Sequence, residues 1–364
     1  MEKLFSIKME NISLLGALYY PVDNELFYKA YRYLPELFYY KNGMLNSRGK
    51  NYYHKLNCNQ IVHQIKILKN KYLMVPYVEA ERVIKYVIVD HIFSKLVRLV
   101  DFIIGVNNGF DNIVSNYIKA INWCASTIIN FFHGNALPKY TDELEGIAIE
   151  FSLGVKYPRE QIEADNHFIS LTSVSCLKNK YDYVVGIALG GISCAAIASC
   201  YLNKPLSIIK VSYYDEKNID KPIPLYKNWG DSGNILLIDD NCGSGMTLNK
   251  AKQYLNSVTD CSVSTYATEL HWEKFFRCQV YKHQDKIFSL NDVTELTPWC
   301  FRHFEFINIL KNKEKNGLNI SGISTKDWVD YSSGIISILH KVFPEEKVFL
   351  ALLEKFILLR ELSK

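Results

Sequence analysis

The chain has 364 residues, of which 48% are hydrophobic and 22% are charged, and its formal net charge is +4. This length suits more than one domain with a packed core, and the small net charge excludes a polyelectrolyte character over the whole chain. The mean hydropathy of −0.06 is typical of a soluble globular protein.

Nine cysteines are scattered along the sequence, and none of them forms a C-x-x-C pair or has zinc-finger spacing with histidine. Such cysteines behave as small hydrophobic residues in a reducing compartment, so we expect a cytoplasmic protein. The N-terminal sequence carries charges from its second residue and has no signal-peptide apolar region. The most apolar stretches, 83–105 and 121–132, contain charges or are too short to cross a bilayer, so we expect no membrane segment.

Residues 1–140 have mainly helical patterns. From Val83 to Ile104, apolar residues recur at steps of three and four, and Ile113–Phe132 repeats this pattern up to His133-Gly134-Asn135. Glycine, proline and mixed charge between residues 134 and 146 indicate a domain boundary. We therefore expect residues 1–140 to form a helical domain of unknown role.

Residues 141–320 change to short apolar runs that alternate with helix-like segments, which is typical of an α/β domain with a parallel sheet. The runs are Tyr183–Ala188, Leu206–Val211, Ile235–Ile238 and Val263–Ala267. Residues 321–364 return to a helical pattern and are predicted to be a C-terminal extension.

An apolar stripe follows Pro344 in this extension. It consists of Val348, Leu352, Phe356 and Leu359. Packing against the rest of the chain is the favoured interpretation, and a homodimer contact is the alternative.

The strongest chemical signal follows the strand predicted at 235–238. Ligands of parallel sheets bind at the carboxyl ends of strands. There, Gly243 and Gly245 allow a tight turn that brings backbone N–H groups close to an anion. Thr247 adds a hydroxyl donor, and the following helix adds positive partial charge. This combination predicts a monophosphate site.

Two adjacent acids, Asp239 and Asp240, stand between this strand and the turn. A phosphate site does not need carboxylates, but a ribose does, because carboxylates accept hydrogen bonds from its 2′ and 3′ hydroxyls. An ordinary Asx turn at a strand end is the alternative, and it would have to explain the acids, glycines, threonine and helix start together. The segment is neither a Walker A loop nor a G-x-G-x-x-G turn.

The segment ILLIDDNCGSGMT resembles the motif of type I phosphoribosyltransferases that binds 5-phosphoribosyl-1-pyrophosphate (PRPP). The resemblance, loosely to the xanthine-guanine and hypoxanthine enzymes, implies a three-layer, Rossmann-like phosphoribosyltransferase core over residues 141–320. It implies that Asp239 and Asp240 are catalytic and hold the ribose. The implied 5′-phosphate loop consists of Gly243, Ser244, Gly245, Met246 and Thr247.

A second strand and glycine turn lie one βα unit upstream. Tyr183–Ala188 leads into Leu189, Gly190 and Gly191, and a helix of small residues, Cys194–Cys200, follows. In the family that this chain resembles, this position is the pyrophosphate loop, which holds the leaving group mainly through its backbone. The same resemblance implies Mg²⁺ on the oxygens of PRPP, with Asp239 and Asp240 as candidate protein ligands.

Two further segments resemble parts of the family. Ser212 and Tyr213 begin a long polar stretch up to Asn234, which resembles a lid that closes over PRPP; an ordinary surface loop is the alternative. Trp299 follows Asp292 in a segment that resembles the base-covering segment of xanthine-guanine enzymes. Trp299 is therefore a candidate for the base site, and a core tryptophan is an equal alternative.

The sequence departs from the purine enzymes at three positions. It has glycine at 243 instead of an acid and leucine at 189 instead of a basic residue. It also has threonine at 294, near the position where the xanthine-guanine enzymes have the tryptophan that stacks on the base. These departures leave PRPP binding in place but do not favour guanine, hypoxanthine or xanthine as acceptor. Asp292 and Glu295 are candidates for the general base by position only.

Residues 37–78 contain lysines, arginine and tyrosines but no Asp or Glu. Basic and aromatic residues together are typical of a nucleic-acid surface. A nucleic-acid or protein partner is thus one hypothesis for this segment, and a solvated helix face is the favoured alternative.

The sequence therefore predicts transfer of a 5-phosphoribosyl group from PRPP to a nitrogen acceptor, a nucleobase or related compound, with release of pyrophosphate. Two alternatives stay open. In one, the protein is a PRPP- or nucleotide-binding effector, toxin or regulator that acts with a nucleic-acid or protein partner. In the other, it binds nucleic acid and its core is inert.

Overall fold

The computed structural model describes residues 57–76, 81–106, 111–147, 167–175, 180–211, 223–242, 245–270, 293–296 and 325–344, together with two short strands and isolated residues elsewhere. The short strands, β1 (Tyr39–Lys41) and β2 (Met44–Asn46), pair antiparallel. The chain divides into two compact units, which we call the helical unit (within 10–168 and 334–355) and the sheet unit (mainly 169–333). Within these described ranges, no helix is long and apolar enough to cross a membrane.

Three long helices lie in the described part of the helical unit, and the two that the sequence predicted are confirmed. They are α1 (Cys58–Met74), α2 (Glu81–Val106) and α3 (Asp111–Phe132), followed by a 3₁₀ turn at Asp142–Leu144. Every side chain of α2 from Tyr86 to Val100 is buried. A helix that is buried all round lies at the centre of its core.

The central helix α2 also carries buried polar groups. Asp90 is 2% exposed, and its Oδ1 accepts a hydrogen bond of 2.7 Å from Nε2 of His167, which is 1% exposed. Lys95 and Arg98 are buried on the same helix. These three charged residues of the apolar stretch therefore lie inside the unit, where buried polar groups need partners.

Local signals begin and end these helices. Asn57 and Gln60 form a reciprocal capping box at the start of α1. At the end of α3, Gly134 has φ +70°, and the N–H of Asn135 donates to the carbonyl of Asn130 at 2.9 Å. This is a Schellman motif, which explains physically why the glycine predicted to stop the helix does so.

A six-stranded sheet forms the core of the sheet unit. Its strands are β3 (Tyr183–Ala188), β4 (Leu206–Lys210), β5 (Ile223–Tyr226), β6 (Asn234–Cys242), β7 (Ser262–Leu270) and β8 (Val293–Leu296). The order is β5-β4-β3-β6-β7-β8, and all neighbours are parallel except the edge pair β4 and β5. The four predicted strands are confirmed, whereas β5 and β8 were not predicted.

The connections place helices on both faces of this sheet. The other described helices are α4 (His167–Ser175), α5 (Gly191–Leu202), α6 (Met246–Val258) and α7 (Thr325–Val342). Helix α5 connects β3 to β4 in one direction along the sheet, and α6 connects β6 to β7 in the other. Because such crossovers are right-handed, α5 and α6 cover opposite faces. The predicted three-layer α/β core is thereby confirmed.

Close packing joins α5 to the sheet. A Cβ atom built on Gly186 of β3 would lie 2.6 Å from the Cβ of Ala195 and 2.9 Å from the carbonyl oxygen of Gly191. Only glycine fits there, so the small residues of α5 bring this helix, and the turn before it, onto β3.

The C-terminal extension is helical where the structure describes it, in α7. Val348, Leu352, Phe356 and Leu359 lie outside the described residues, so the homodimer hypothesis for their stripe stays a prediction. The predicted domain boundaries after residues 140 and 320 also stay predictions.

Candidate active site

The site lies where the direction of the strand order reverses. Strands β3 and β6 are neighbours, and Gly186 is in register with Ile238. Their carboxyl ends therefore lie side by side. Leu189-Gly190-Gly191 follow β3, whereas Asp239 and Asp240 lie within β6, which continues to Cys242 beyond the predicted strand end at Ile238. Such a switch point is the usual ligand site of open α/β sheets.

The glycine turn after β3 touches the acids of β6. A Cβ atom on Gly190 would lie 2.5 Å from Cγ and 2.7 Å from Oδ2 of Asp240. A Cβ atom on Gly191 would lie 2.7 Å from the carbonyl oxygen of Ile238 and 3.1 Å from Cα of Asp239. The two glycines are thus needed for close approach rather than for a special φ. The peptide bond between Ala188 and Leu189 is cis.

The two acids differ in environment. Asp239 is buried with 9% of its surface exposed, whereas Asp240 is partly exposed. The backbone N–H of Asp240 donates to Oδ1 of Asp239 at 3.0 Å. Burial raises the pKa of Asp239 well above its ordinary value, and the charge and side chain of Asp240 raise it further, against the opposing effect of that backbone N–H. The pair therefore resists carrying two negative charges unless a cation or several donors approach it.

The start of α6 is arranged for an anion. Gly245 has φ +75° and is the N-cap of the helix, where it has no side chain that could cap the first turn. Thr247 is half-buried in this turn, and Met246 is 39% exposed. Free N–H groups at a helix start bind phosphate oxygens and add the positive end of the helix dipole.

Helix α5 starts at the same edge of the sheet. Gly190 is its N-cap and has no side chain that could cap the first turn, and no acidic residue lies in that turn. Two helix N-termini therefore face the region beside the two carboxylates. Backbone N–H groups that donate to an anion thus lie next to carboxylates that accept from hydroxyls, which suits a ligand that has both phosphates and hydroxyls.

One residue of the site was not predicted. Thr268, near the end of β7, is 3% exposed, and its hydroxyl donates a hydrogen bond of 2.7 Å to the backbone carbonyl of Asp240. The predicted strand ended at Ala267, whereas β7 continues to Leu270. The available signal was a polar residue at the carboxyl end of a core strand.

Several predicted residues cannot be placed. Those outside the described residues are Ser212, Tyr213, Gly243, Ser244, Asp292 and Trp299. Thr294 and Glu295 lie in β8, where only the backbone is described. Within the predicted lid stretch, Ile223–Tyr226 forms the edge strand β5, so the loop interpretation does not hold for this part.

The described part of the basic and aromatic segment lies mainly in α1. Tyr72 is 1% exposed and donates a hydrogen bond of 2.6 Å to the carbonyl of Pro138. Lys69 forms an ion pair with Glu145. Tyr72 is therefore a core residue and not a surface for stacked bases, while Lys66 is exposed to solvent.

No group of three or more His, Cys, Asp or Glu residues is placed to hold a metal ion in the part of the chain that the structure describes. The acids available at this site are the pair Asp239 and Asp240. Two carboxylates fit Mg²⁺, because this ion keeps several waters and is held by one or two carboxylates plus phosphate oxygens of a substrate.

Fold and site together define an α/β domain with a candidate ligand site at its switch point. The family model of the phosphoribosyl transferase domain matches residues 159–294, which include both loops and all strands from β3 to β7. Residues 159–294 are therefore similar to phosphoribosyl transferase domains, as the motif predicted.

Relatives of known structure or activity match parts of the chain. An orotate phosphoribosyltransferase from Sulfurisphaera tokodaii is 34% identical over 89 residues, which are 23% of this chain and 42% of the relative. A purine phosphoribosyltransferase structure from Pyrococcus horikoshii has 24% identity and a TM-score of 0.22, over 25% of this chain and 62% of that one. An adenine phosphoribosyl transferase structure from Trypanosoma brucei has 15% identity and a TM-score of 0.26, over 33% and 56% of the two chains. The chain thus spans less than half the length of the orotate relative.

Proposed function

We propose that this protein transfers the 5-phosphoribosyl group of PRPP to a nitrogen acceptor and releases pyrophosphate. The observation that carries the proposal is the contact of Gly190 and Gly191 with the Asp239–Asp240 pair at the switch point. Only a ligand that has both a pyrophosphate and a ribose needs a turn for the first group next to a carboxylate pair for the second. The family match over residues 159–294 supports the same reaction and does not favour the two alternatives.

Each part of the site has a role in this proposal. The carboxylates of Asp239 and Asp240 accept hydrogen bonds from the ribose hydroxyls and stabilise positive charge that develops on the ring. Backbone N–H groups at the start of α6, with Thr247, hold the 5′-phosphate. Those after Leu189 hold pyrophosphate as it leaves C1′. The acceptor nitrogen forms its bond to C1′ as the bond to pyrophosphate breaks, and its proton goes to a base that stays unidentified.

Mg²⁺ is the proposed cofactor, with Asp239 and Asp240 as the protein groups next to it. When bound, it would neutralise phosphate charge on PRPP. A cation bound there would favour the ionised form of Asp239, whose pKa burial and Asp240 raise.

The acceptor is proposed only as a nucleobase or a related nitrogen compound. Leu189 and Thr294 are uncharged and lack the groups expected in xanthine-guanine enzymes. A cytoplasmic location, Trp299 as part of the base site and closure of a lid by Ser212 and Tyr213 stay predictions.

Calorimetric titration of PRPP with Mg²⁺ into the full chain tests the proposal. The control is the double variant Asp239→Asn/Asp240→Asn, which keeps the size of both side chains and removes their charge. We expect binding to the wild type and a loss of at least about tenfold in affinity in the variant, because hydrogen bonds to charged groups contribute about 1.5–3 kcal/mol each.

A screen of nucleobases by pyrophosphate release would then identify the acceptor. Equal PRPP affinity in wild type and variant would contradict the roles of the two acids. No binding to the wild type would contradict the proposed function itself.

A further inference from the structure

Strand β7 supplies a hydrogen bond to the acid pair that its neighbour β6 carries. The register pairs Asp239 with Ala267 and Asn241 with Glu269. Between these pairs, the hydroxyl of Thr268 donates to the backbone carbonyl of Asp240 at 2.7 Å. Because Thr268 is 3% exposed, the bond is shielded from water.

Asp240 is consequently held on both sides of its Cα atom. Its N–H donates to Oδ1 of Asp239 at 3.0 Å, and its carbonyl accepts from Thr268. Fixing both adjacent peptide planes restricts φ and ψ, and these two angles set the direction in which the side chain leaves the backbone. The carboxylate of Asp240 also lies against Gly190, so a small rotation of the backbone would push it into the turn.

We propose that Thr268 is a positioning residue that aims the carboxylate of Asp240 at the ribose of PRPP. The proposal rests on the proposed function, because it assigns Thr268 a role only through Asp240. Thr268 itself is not catalytic, since its hydroxyl proton is used by the backbone carbonyl. Sites lose affinity when the residues that support them loosen, even though the contacting groups remain.

The helical unit offers a matched control for the chemistry of this bond. Thr127 is 1% exposed on α3, and its hydroxyl donates to the backbone carbonyl of Trp123 at 2.8 Å. Thr127→Val and Thr268→Val each remove one buried hydroxyl-to-carbonyl bond and keep the side-chain shape. Both variants should lose similar thermal stability, but only Thr268→Val should affect the ligand.

The experiment measures PRPP affinity with Mg²⁺ by calorimetry, well below the melting temperature, for the wild type and these variants. We expect Thr268→Val to weaken PRPP binding about fivefold, which corresponds to one neutral hydrogen bond. Thr268→Ser, which keeps the hydroxyl, should stay within about twofold of the wild type. Thr268→Ala replaces the valine variant if that protein does not fold.

Equal affinity of Thr268→Val and wild type would overturn the positioning role and leave the proposed function intact. An equal loss in Thr127→Val would also overturn it, because the effect would then be general destabilisation. A wild type that does not bind PRPP would overturn the proposed function, and the role of Thr268 with it.

Discussion

Asp239 is the residue at which function and stability oppose each other. It is buried next to a second carboxyl group, and its pKa is raised well above the ordinary value, mainly by burial. Between the ordinary pKa and the raised one, the folded protein binds more protons than the unfolded chain. The free energy of unfolding therefore falls as pH rises through this window.

Replacing Asp239 by asparagine removes this loss, so we expect Asp239→Asn to melt at a higher temperature than the wild type near neutral pH. The gain should be at least about 2 °C, since about 1 kcal/mol corresponds to roughly 2–4 °C in a domain of this size. It should shrink towards about pH 4, where the unfolded aspartate also takes up its proton. Thermal melts without ligand at several pH values measure this.

Asp260→Asn is the matched control, because Asp260 is exposed in the same unit and surface substitutions change stability little. If Asp239→Asn is no more stable than the wild type at neutral pH, the buried carboxyl of Asp239 does not lower the stability of the protein without ligand.

At the scale of elements, the glycine turn that begins α5 decides whether Asp240 can occupy its place. The backbone of Gly190 (φ −59°, ψ −43°) suits alanine, so only the contact of a new Cβ with the carboxylate of Asp240 would matter. We expect Gly190→Ala to displace that carboxylate and to weaken PRPP binding by at least about tenfold, a loss comparable to that of a charged hydrogen bond. Calorimetry with Mg²⁺ measures the loss.

Gly334 in α7 provides the control for this substitution. A Cβ atom there would meet nothing within 4 Å, and alanine stabilises a helix interior by about 0.5–1 kcal/mol. Gly334→Ala should therefore raise the melting temperature without changing PRPP affinity. If Gly190→Ala binds PRPP as well as Gly334→Ala does, the close contact with Asp240 is not needed for the ligand.

The sequence predicted most elements for reasons that are local. The long periodic helices α2 and α3, the four apolar core strands and the glycine stop at Gly134 all follow from patterns within one segment. The edge strand β5 was missed because it lies in a polar stretch with two prolines, Pro222 and Pro224. Its strand conformation depends on pairing with β4, which no local pattern shows.

The site was predicted to a similar extent. The glycine turn and the acid pair were predicted because glycines and paired acids are visible in the sequence, and the structure brings Gly190 next to Asp240. The phosphate loop stays a prediction at Gly243 and Ser244, which lie outside the described residues. Thr268 was missed because its role comes from the register between β6 and β7. Contacts between strands depend on tertiary pairing, so a single segment cannot reveal them.

At the scale of the whole molecule, the proposed chemistry and the buried polar pair belong to different units. Asp239, Asp240 and Thr268 lie in the sheet unit, whereas Asp90 and His167 lie in the helical unit. The sequence predicted that α2 is a buried, apolar helix that contains several charged residues. Burial of Asp90 was not visible, because it depends on which elements surround the helix.

Removing the acceptor of this pair tests whether the two units depend on each other. Asp90→Ala leaves the buried Nε2 of His167 without its 2.7 Å partner, so the free energy of unfolding should fall by about 1–3 kcal/mol. PRPP affinity should stay within about twofold of the wild type while the protein is folded, since every proposed ligand contact lies in the other unit. Thr268→Val, in contrast, should lose PRPP affinity clearly. A loss of PRPP affinity in Asp90→Ala comparable to that in Thr268→Val would show that the helical unit supports the site, because a variant that contacts no ligand would then have changed its binding.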